Sequence, residues 1–245
     1  MMAGPEAFIY PIRIQKVKKS NTMKNFIHII LSILFPRGPN AVDFSVLTSE
    51  EIWRDSPRAR QLSVTLFPVD CHSALSYKYP RTRALIWQIK YKRDAHALRH
   101  GGFVVYKAII EKYQSQIIIL VPIPVSPARR RERGYNQCEL LCEAIRKNNP
   151  PLFEIRTDIL FRSTHTQRQT LKNRDERLRG AQGIFAIHKK YAAAKNGSTS
   201  EHETLKHQHL IIIDDVLTTG STLREALLTL RKAGFANVSG MTVAH

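Results

Sequence analysis

Two adjacent acids directly precede a run of small and hydroxylated residues. The stretch "LIIIDDVLTTGST" covers residues 210–222 and contains Asp214, Asp215 and, in the turn, Gly220. Hydroxyl groups and backbone N–H groups at such a turn, next to a helix N-terminus, form binding sites for phosphate. Carboxylates repel phosphate, but they accept hydrogen bonds from a vicinal diol or bind Mg²⁺. The pattern therefore predicts a ligand with two chemically different ends, such as a sugar phosphate.

Other kinds of site also place acids at the end of a strand. A P-loop requires G-x-x-x-x-G-K-[ST], and the sequence contains no such run. A phosphoacceptor receiver domain does not need the TTGST turn. A capping role explains one acid better than two. We expect Thr222 and Glu225 to form a capping box at the start of the helix that follows.

A second candidate segment, "VPIPVSPARRRERGYNQ", covers residues 121–137. Its prolines stiffen the end of a hydrophobic strand, and a run of arginines suited to phosphate oxygens follows. Read alone, the arginines fit a solvated basic loop equally well. Asn136 is placed to cap the next helix. If the two strands belong to one parallel sheet, both segments lie at the same edge of that sheet.

Hydrophobic strands alternate with helices along most of the chain. Strands are predicted at residues 63–70, 116–126, 159–162, 183–191, 209–216 and 238–245, and helices at 49–55, 79–113, 136–148 and 221–234. Ser49 is the expected cap of the first helix, Gly101 and Gly102 are expected to interrupt the second, and residues 192–208 are expected to form a loop. The alternation predicts an α/β domain with a central parallel sheet flanked by helices.

The composition favours a polyanionic partner. The chain of 245 residues carries 38 Lys and Arg against 20 acids, a net charge of +18. Three cysteines without a C-x-x-C pair indicate a reduced, cytoplasmic protein without zinc. The apolar run at residues 26–35 is too short to span a membrane. Residues 1–22 form a basic tail, and Met23 is an alternative start of the chain.

The first segment resembles the phosphoribosyl-pyrophosphate (PRPP) signature of type I phosphoribosyltransferases. The resemblance implies a Rossmann-like parallel sheet, with Mg²⁺ bound indirectly through the ligand or water at Asp214 and Asp215. These two acids are then the catalytic pair that binds the ribose 2- and 3-hydroxyls. The ribose 5-phosphate is expected at Leu217, Thr218, Thr219, Gly220, Ser221 and Thr222.

The second segment resembles the ComF family, whose hallmark is V-P-[VI]-P, a basic stretch and R-G-[FY]-N-Q. The resemblance implies a pyrophosphate loop at Val125, Ser126, Pro127, Arg129, Arg130 and Arg133. Residues 162–185 resemble the family's T-x-x-Q-x-x-L-x-x-x-x-R stretch, which implies a flexible loop with Thr166, Gln169, Arg174 and Arg177. Lys90 and Tyr91 also match a family helix.

The N-terminal part of the chain departs from the family pattern, because the usual four-cysteine zinc ribbon has no counterpart in this sequence. We expect residues 23–61 to form a helix-and-loop appendage in its place and residues 62–245 to form the phosphoribosyltransferase-like domain. Two functions stay open. One is transfer of phosphoribosyl from PRPP to a nitrogen acceptor. The other is a non-catalytic role in DNA uptake or recombination, with single-stranded DNA as ligand and the PRPP-type site as a sensor or vestige. A homodimer also stays open.

Overall fold

A five-stranded parallel sheet forms the centre of the protein. The computed structural model describes residues 42–59, 70–113, 117–163, 183–191 and 200–245. The strands of the sheet lie in the order β1-β7-β6-β2-β3, and every neighbouring pair is parallel. Their bounds are β1 Asp70–Leu75, β2 Ile118–Pro122, β3 Phe153–Ile155, β6 His209–Val216 and β7 Val238–Ala244. This architecture confirms the predicted type I phosphoribosyltransferase fold.

A separate two-stranded antiparallel ribbon consists of β4 (Leu160–Arg162) and β5 (Phe185–Ile187). The α-helices of the described ranges are α1 Ser49–Asp55, α2 Pro80–Tyr91, α3 Ala95–Lys112, α4 Pro127–Arg133, α5 Gln137–Arg146, α6 Ser200–Lys206 and α7 Ser221–Lys232. Short 3₁₀ turns lie at Pro150–Leu152 and Lys189–Tyr191. No helix in these ranges is long and apolar enough to cross a membrane.

Helices cover both faces of the sheet, so both faces are buried. Successive side chains of a strand point to opposite faces and therefore join different cores. In β6, Ile211 and Ile213 join a core with residues of α1, α2, α3 and α5. Leu210 and Ile212 join the opposite core, which includes Leu227 and other residues of α7. Strand β6 therefore lies in the middle of the domain, with a hydrophobic core on each of its faces.

Several helix boundaries differ from the sequence-based expectations. The first helix is capped by Thr48 rather than Ser49, because Thr48 and Glu51 form a complete capping box. The long helix predicted at residues 79–113 breaks at residues 92–94 and not at Gly101 and Gly102. Asp94 caps the new helix by accepting a hydrogen bond from the Ala97 N–H at 2.7 Å. Both glycines lie inside α3.

Other elements were absent from the expectations or were placed elsewhere. The arginine-rich segment forms the short helix α4 rather than a loop, since Ser126 caps it and Gly134 ends it with a φ of 80°. Part of the loop predicted at residues 192–208 is the helix α6. The first strand of the sheet is Asp70–Leu75, and residues 63–69 of the predicted strand lie outside the described residues. Strand β3 was not predicted, because its three residues are too few to show a period.

Candidate active site

The two segments singled out from the sequence meet at one edge of the sheet. Strands β2 and β6 are parallel neighbours, and Pro122 lies beside Ile213 in their register. The pairing continues one residue further, where the Ile123 N–H donates to the Ile213 carbonyl at 3.0 Å. The chain leaves β2 toward α4 and leaves β6 toward α7. This carboxyl edge is where parallel α/β sheets bind ligands, so the expected juxtaposition is confirmed.

The turn after β6 is open to solvent on its hydroxyl side. Gly220 has a φ of 72°, a left-handed conformation that favours glycine, and it directly precedes α7. Thr218, Thr219 and Ser221 are exposed, and the hydroxyls of Thr219 and Ser221 lie 3.0 Å apart. Together with Asp214, Thr222 and Thr242, the turn lines a small depression. We call this depression the nest; its floor consists of residues 217–222.

The expected capping box of Thr222 and Glu225 is wrong. The cap position of α7 is Gly220, which has no side chain to accept the first N–H groups of the helix. Glu225 instead accepts a hydrogen bond from the Gly183 N–H at 2.6 Å. The glutamate therefore connects α7 to the start of β5, and no side-chain cap covers the N-terminus of α7, which faces the nest.

The two acids lie on opposite sides of β6, as the alternation of the strand requires. Asp214 is half-buried and lines the nest. One of its oxygens, Oδ1, accepts hydrogen bonds from the Asp215 N–H at 2.8 Å and from the Cys138 Sγ at 3.4 Å. Asp215 is only 4% exposed and points into the core. The carboxylates of the pair therefore have different surroundings.

Asp215 is bound by a lysine and a glutamine from two other helices. Lys90 Nζ, at the end of α2, lies 3.1 Å from Asp215 Oδ1. Gln137 Nε2, at the start of α5, donates to Asp215 Oδ2 at 3.0 Å. The sequence pointed to Lys90 and Gln137 only as parts of matching motifs and gave neither a role. Because these partners lie 125 and 78 positions from Asp215, no local pattern could have paired them.

Burial and charge shift the pKa values of this group in different directions. Burial raises the pKa of Asp214 to about 7, and repulsion from Asp215 adds to that effect. For Lys90, burial opposes the charged ammonium, but the neighbouring Asp215 carboxylate outweighs it. The pKa of Lys90 therefore lies above its ordinary value. Burial also raises the pKa of the Cys138 thiol, which stays protonated and donates to Asp214.

The arginines of α4 are divided between internal pairs and solvent. Arg130 pairs with Glu139 at 2.9 Å, and Arg133 donates to Gln137 Oε1 at 3.0 Å. Arg129 and Arg131 are exposed. Val125 and Ser126 are half-buried before the helix, and Pro127 is exposed. The segment predicted to bind pyrophosphate thus lies at the ligand edge and presents Arg129 and Arg131 to solvent.

Thr166, Gln169, Arg174 and Arg177 of the predicted flexible loop lie outside the described residues. The segments on either side of that stretch are strands β4 and β5 of the antiparallel ribbon. Arg162, in β4, stacks over the Phe185 ring of β5 at 5.7 Å. The ribbon is joined to α7 through Gly183 and Glu225. The loop therefore starts and ends on an element that contacts the helix beside the nest.

The donors at this edge suit a hard cation that arrives with a ligand. Among the residues with described positions, no group of three or more His, Cys, Asp or Glu side chains could hold a metal ion. The Asp214 carboxylate and the hydroxyls of the nest supply only oxygen donors. Mg²⁺ typically keeps several waters and binds through one or two carboxylates plus substrate phosphates. The residues present therefore fit Mg²⁺ bound together with a phosphorylated ligand.

Comparison with known proteins agrees with this geometry. Residues 165–244, which include the acids and the nest, match the phosphoribosyl transferase domain. The competence protein ComFC of Bacillus subtilis is 30% identical over 158 residues, covering 64% of this chain and 56% of that protein. Competence protein F of Haemophilus influenzae is 30% identical over 160 residues, covering 63% of each chain. The chain is thus similar to competence proteins of the ComF family over 63–64% of its own length.

Each of these relatives is longer than the segment of it that aligns with this chain. The DNA utilization protein YhgH of Escherichia coli is 29% identical over 163 residues, covering 65% of each chain. The chain thus spans less than two thirds of the length of the relatives it matches. The expected resemblance to the ComF family is confirmed, and the phosphoribosyl transferase domain match includes the acids and the nest.

Proposed function

We propose that this protein binds PRPP together with Mg²⁺ and transfers the phosphoribosyl group to a nitrogen acceptor, with release of pyrophosphate. One observation carries the proposal. The half-buried Asp214 carboxylate and the open hydroxyls of the nest line the same depression at the carboxyl end of β6. An acid beside an anion site suits a ligand that carries both a diol and a phosphate. The match to the phosphoribosyl transferase domain over residues 165–244 supports this ligand class.

In the proposed complex each end of the ligand has its own partners. The nest, residues 217–222, binds the 5-phosphate through hydroxyls and backbone N–H groups. Asp214, the acid that lines the nest, accepts hydrogen bonds from the ribose 2- and 3-hydroxyls, and Asp215 orients it through its backbone N–H. The segment of residues 125–133 binds the pyrophosphate in this proposal, with the exposed Arg129 as a cationic partner.

The proposed reaction exchanges one bond at ribose C1 for another. The bond from C1 to the pyrophosphate oxygen breaks, and pyrophosphate leaves with the electron pair. The lone pair of the acceptor nitrogen forms the new bond to C1, and the nitrogen then loses a proton to solvent. Positive charge that develops at C1 is stabilised by the carboxylate of Asp214. Mg²⁺, when bound with PRPP, supplies charge neutralisation on the pyrophosphate.

A surface feature favours a second candidate function, binding of single-stranded DNA. Three cations lie over aromatic rings near the end of α2: Arg133 over Tyr91 at 5.2 Å, Lys92 over Trp87 at 5.5 Å, and Arg93 over Tyr135 at 5.7 Å. Single-strand binders combine cations for the backbone with rings for base stacking. The net charge of +18 favours the same partner. In this alternative the nest serves as a sensor or is a vestige.

A paired binding experiment separates the two functions. PRPP with Mg²⁺ at about a hundredfold excess over its Kd should raise the melting temperature by roughly 5 °C. The double variant Asp214→Asn/Asp215→Asn should abolish this rise, because it removes the Asp214 carboxylate that accepts from the diol and the Asp215 carboxylate that holds the site in place. The same samples are titrated with a fluorescent single-stranded oligonucleotide at several salt concentrations. No PRPP effect, combined with tight and steeply salt-dependent DNA binding, would favour the second candidate.

A further inference from the structure

Both carboxylate oxygens of Asp215 are already bound within the protein. Lys90 Nζ lies 3.1 Å from Oδ1, and Gln137 Nε2 lies 3.0 Å from Oδ2. The side chains of Lys90 and Asp215 are 19% and 6% exposed, so the ion pair is largely shielded from water. Asp214 differs, because its Oδ2 has no hydrogen-bond partner among the described residues and the residue lines the nest.

The partners of Asp215 are themselves fixed by hydrogen bonds. The Tyr135 hydroxyl donates to the Lys90 carbonyl at 2.9 Å and ties the end of α2 to the segment before α5. Asn136 caps α5 and donates to the Ile123 carbonyl at 3.0 Å, which fixes the helix start beside the end of β2. Gln137 also accepts from Arg133. Lys90, Gln137 and Asp215 therefore form a rigid connection between α2, α5 and β6, which we call the Lys90 clamp.

The clamp changes the charge that a ligand meets at the nest. Two free carboxylates beside a phosphate site would repel a polyanion strongly, because the interaction of buried charges is weakly screened. A lysine ammonium 3.1 Å from Asp215 cancels one of the two negative charges. Asp214 then contributes at most one negative charge next to the nest. The same contact fixes the backbone at Asp215, whose N–H donates to Asp214 Oδ1 at 2.8 Å and orients that carboxylate.

We infer that Lys90 is a positioning residue of the sugar-phosphate site, which acts through Asp215 by cancelling its charge and fixing the orientation of the acid pair. This inference rests on the proposed function, since it concerns the binding of PRPP at the same site. Lys90 touches Asp215 and needs no contact with the ligand. Its contribution to binding therefore depends on the presence of the Asp215 carboxylate.

The test is a double-mutant cycle with titration calorimetry of Mg²⁺–PRPP as the measurement. Lys90→Met should weaken binding by about tenfold, because an uncompensated charge remains near the ligand phosphates. Lys90→Arg keeps the positive charge and should stay within about threefold of the wild-type Kd. Once Asp215 is Asn, the added Lys90→Met change should alter the Kd by less than about twofold, because there is no charge left to cancel.

Lys147→Met provides the matched control. It removes the same charge from an exposed side chain at the end of α5 that lies away from Gln137, and it should leave the Kd within about twofold. If Lys90→Met alone does not fold, the Asp215→Asn background and Lys90→Arg decide the question. Equal binding by wild type and Lys90→Met, or a tenfold loss in the Asp215→Asn background, would overturn the inference. Absence of PRPP binding by the wild type would instead overturn the proposed function, and the inference with it.

Discussion

Asp214 and Asp215 are neighbours in sequence but have different environments. A strand turns successive side chains to opposite faces, so one acid reaches the nest and the other reaches the helices α2 and α5. The buried acid has a lysine and a glutamine as partners, whereas the half-buried acid accepts from an N–H and a thiol. A buried carboxyl without a cationic partner favours its protonated form. The raised pKa of Asp214 can therefore be tested by measuring how the stability of the protein depends on pH.

Asp214 should make the stability of the ligand-free protein depend on pH. Its pKa is raised to about 7 in the folded state by burial and by Asp215, while an unfolded aspartate has a pKa of about 4. Between these values the folded state holds the proton and the unfolded state has released it. Stability therefore falls as the pH rises from about 4 through about 7. Asp214→Asn should remove this fall and be more stable than wild type at pH 8 by up to about 4 kcal/mol.

Urea unfolding at pH 5 and pH 8, without Mg²⁺, measures this effect as the difference between variant and wild type. Asp55→Asn is the matched control, because Asp55 is a carboxyl whose pKa is lowered by its hydrogen bond with Arg54. Its difference from wild type should be the same at both pH values. An Asp214→Asn difference that does not grow between pH 5 and pH 8 would show that Asp214 is ionised throughout this range.

Helices α3 and α5 approach each other closely at Gly102, and α5 is the helix that carries Gln137 and Cys138. Gly102 lies against Ala144 of α5, where an added Cβ would lie 2.5 Å from the alanine Cβ and 2.6 Å from its carbonyl carbon. The neighbouring Gly101 faces the movable ends of Ile89 and Leu141, with distances of 2.7 Å and 3.2 Å for an added Cβ. The two glycines therefore differ in whether the neighbour is backbone or the end of a side chain.

Alanine substitutions at these two glycines should have different effects on stability. Gly102→Ala forces the two helices apart and should lower the free energy of unfolding by about 2 kcal/mol or more. Gly101→Ala displaces only side-chain ends, and the gain in helix propensity of about 1 kcal/mol offsets that cost. Gly101→Ala should therefore stay within about 1 kcal/mol of wild type. Chemical denaturation of both variants provides the comparison, and equal destabilisation would contradict the proposed packing.

The order of most strands and helices along the chain is predictable from the sequence. Continuous Ile and Val runs indicate buried parallel strands, and the spacing in α5 and α7 indicates amphipathic helices. The parallel sheet then places the ends of β2 and β6 at one edge, which brings the two motifs together. The capping residues were less predictable, because Thr48 and Ser49 are both good caps, and only the fold decides between them.

The partners of the acid pair could not be predicted from sequence. Lys90 reaches Asp215 only because α2 ends at the edge of the sheet where β6 also ends. The helix break at residues 92–94 fixes that ending, and the sequence indicated a break at the two glycines instead. Glu225 gave a local capping pattern, but its partner is Gly183, 42 residues away. Contacts between distant segments thus complete a site whose central residues are adjacent in the chain.

A single comparison of two ligands tests most directly whether the site has two different halves. Titration calorimetry measures the Kd of the whole protein for ribose 5-phosphate and for 2-deoxyribose 5-phosphate. Both carry the phosphate for the nest, but only ribose offers the 2- and 3-hydroxyl pair to Asp214. The ribose compound should bind at least about tenfold more tightly, because a carboxylate left without its partner costs roughly 1–3 kcal/mol. Equal affinities, or no binding of either compound, would contradict a site that pairs a diol with a 5-phosphate.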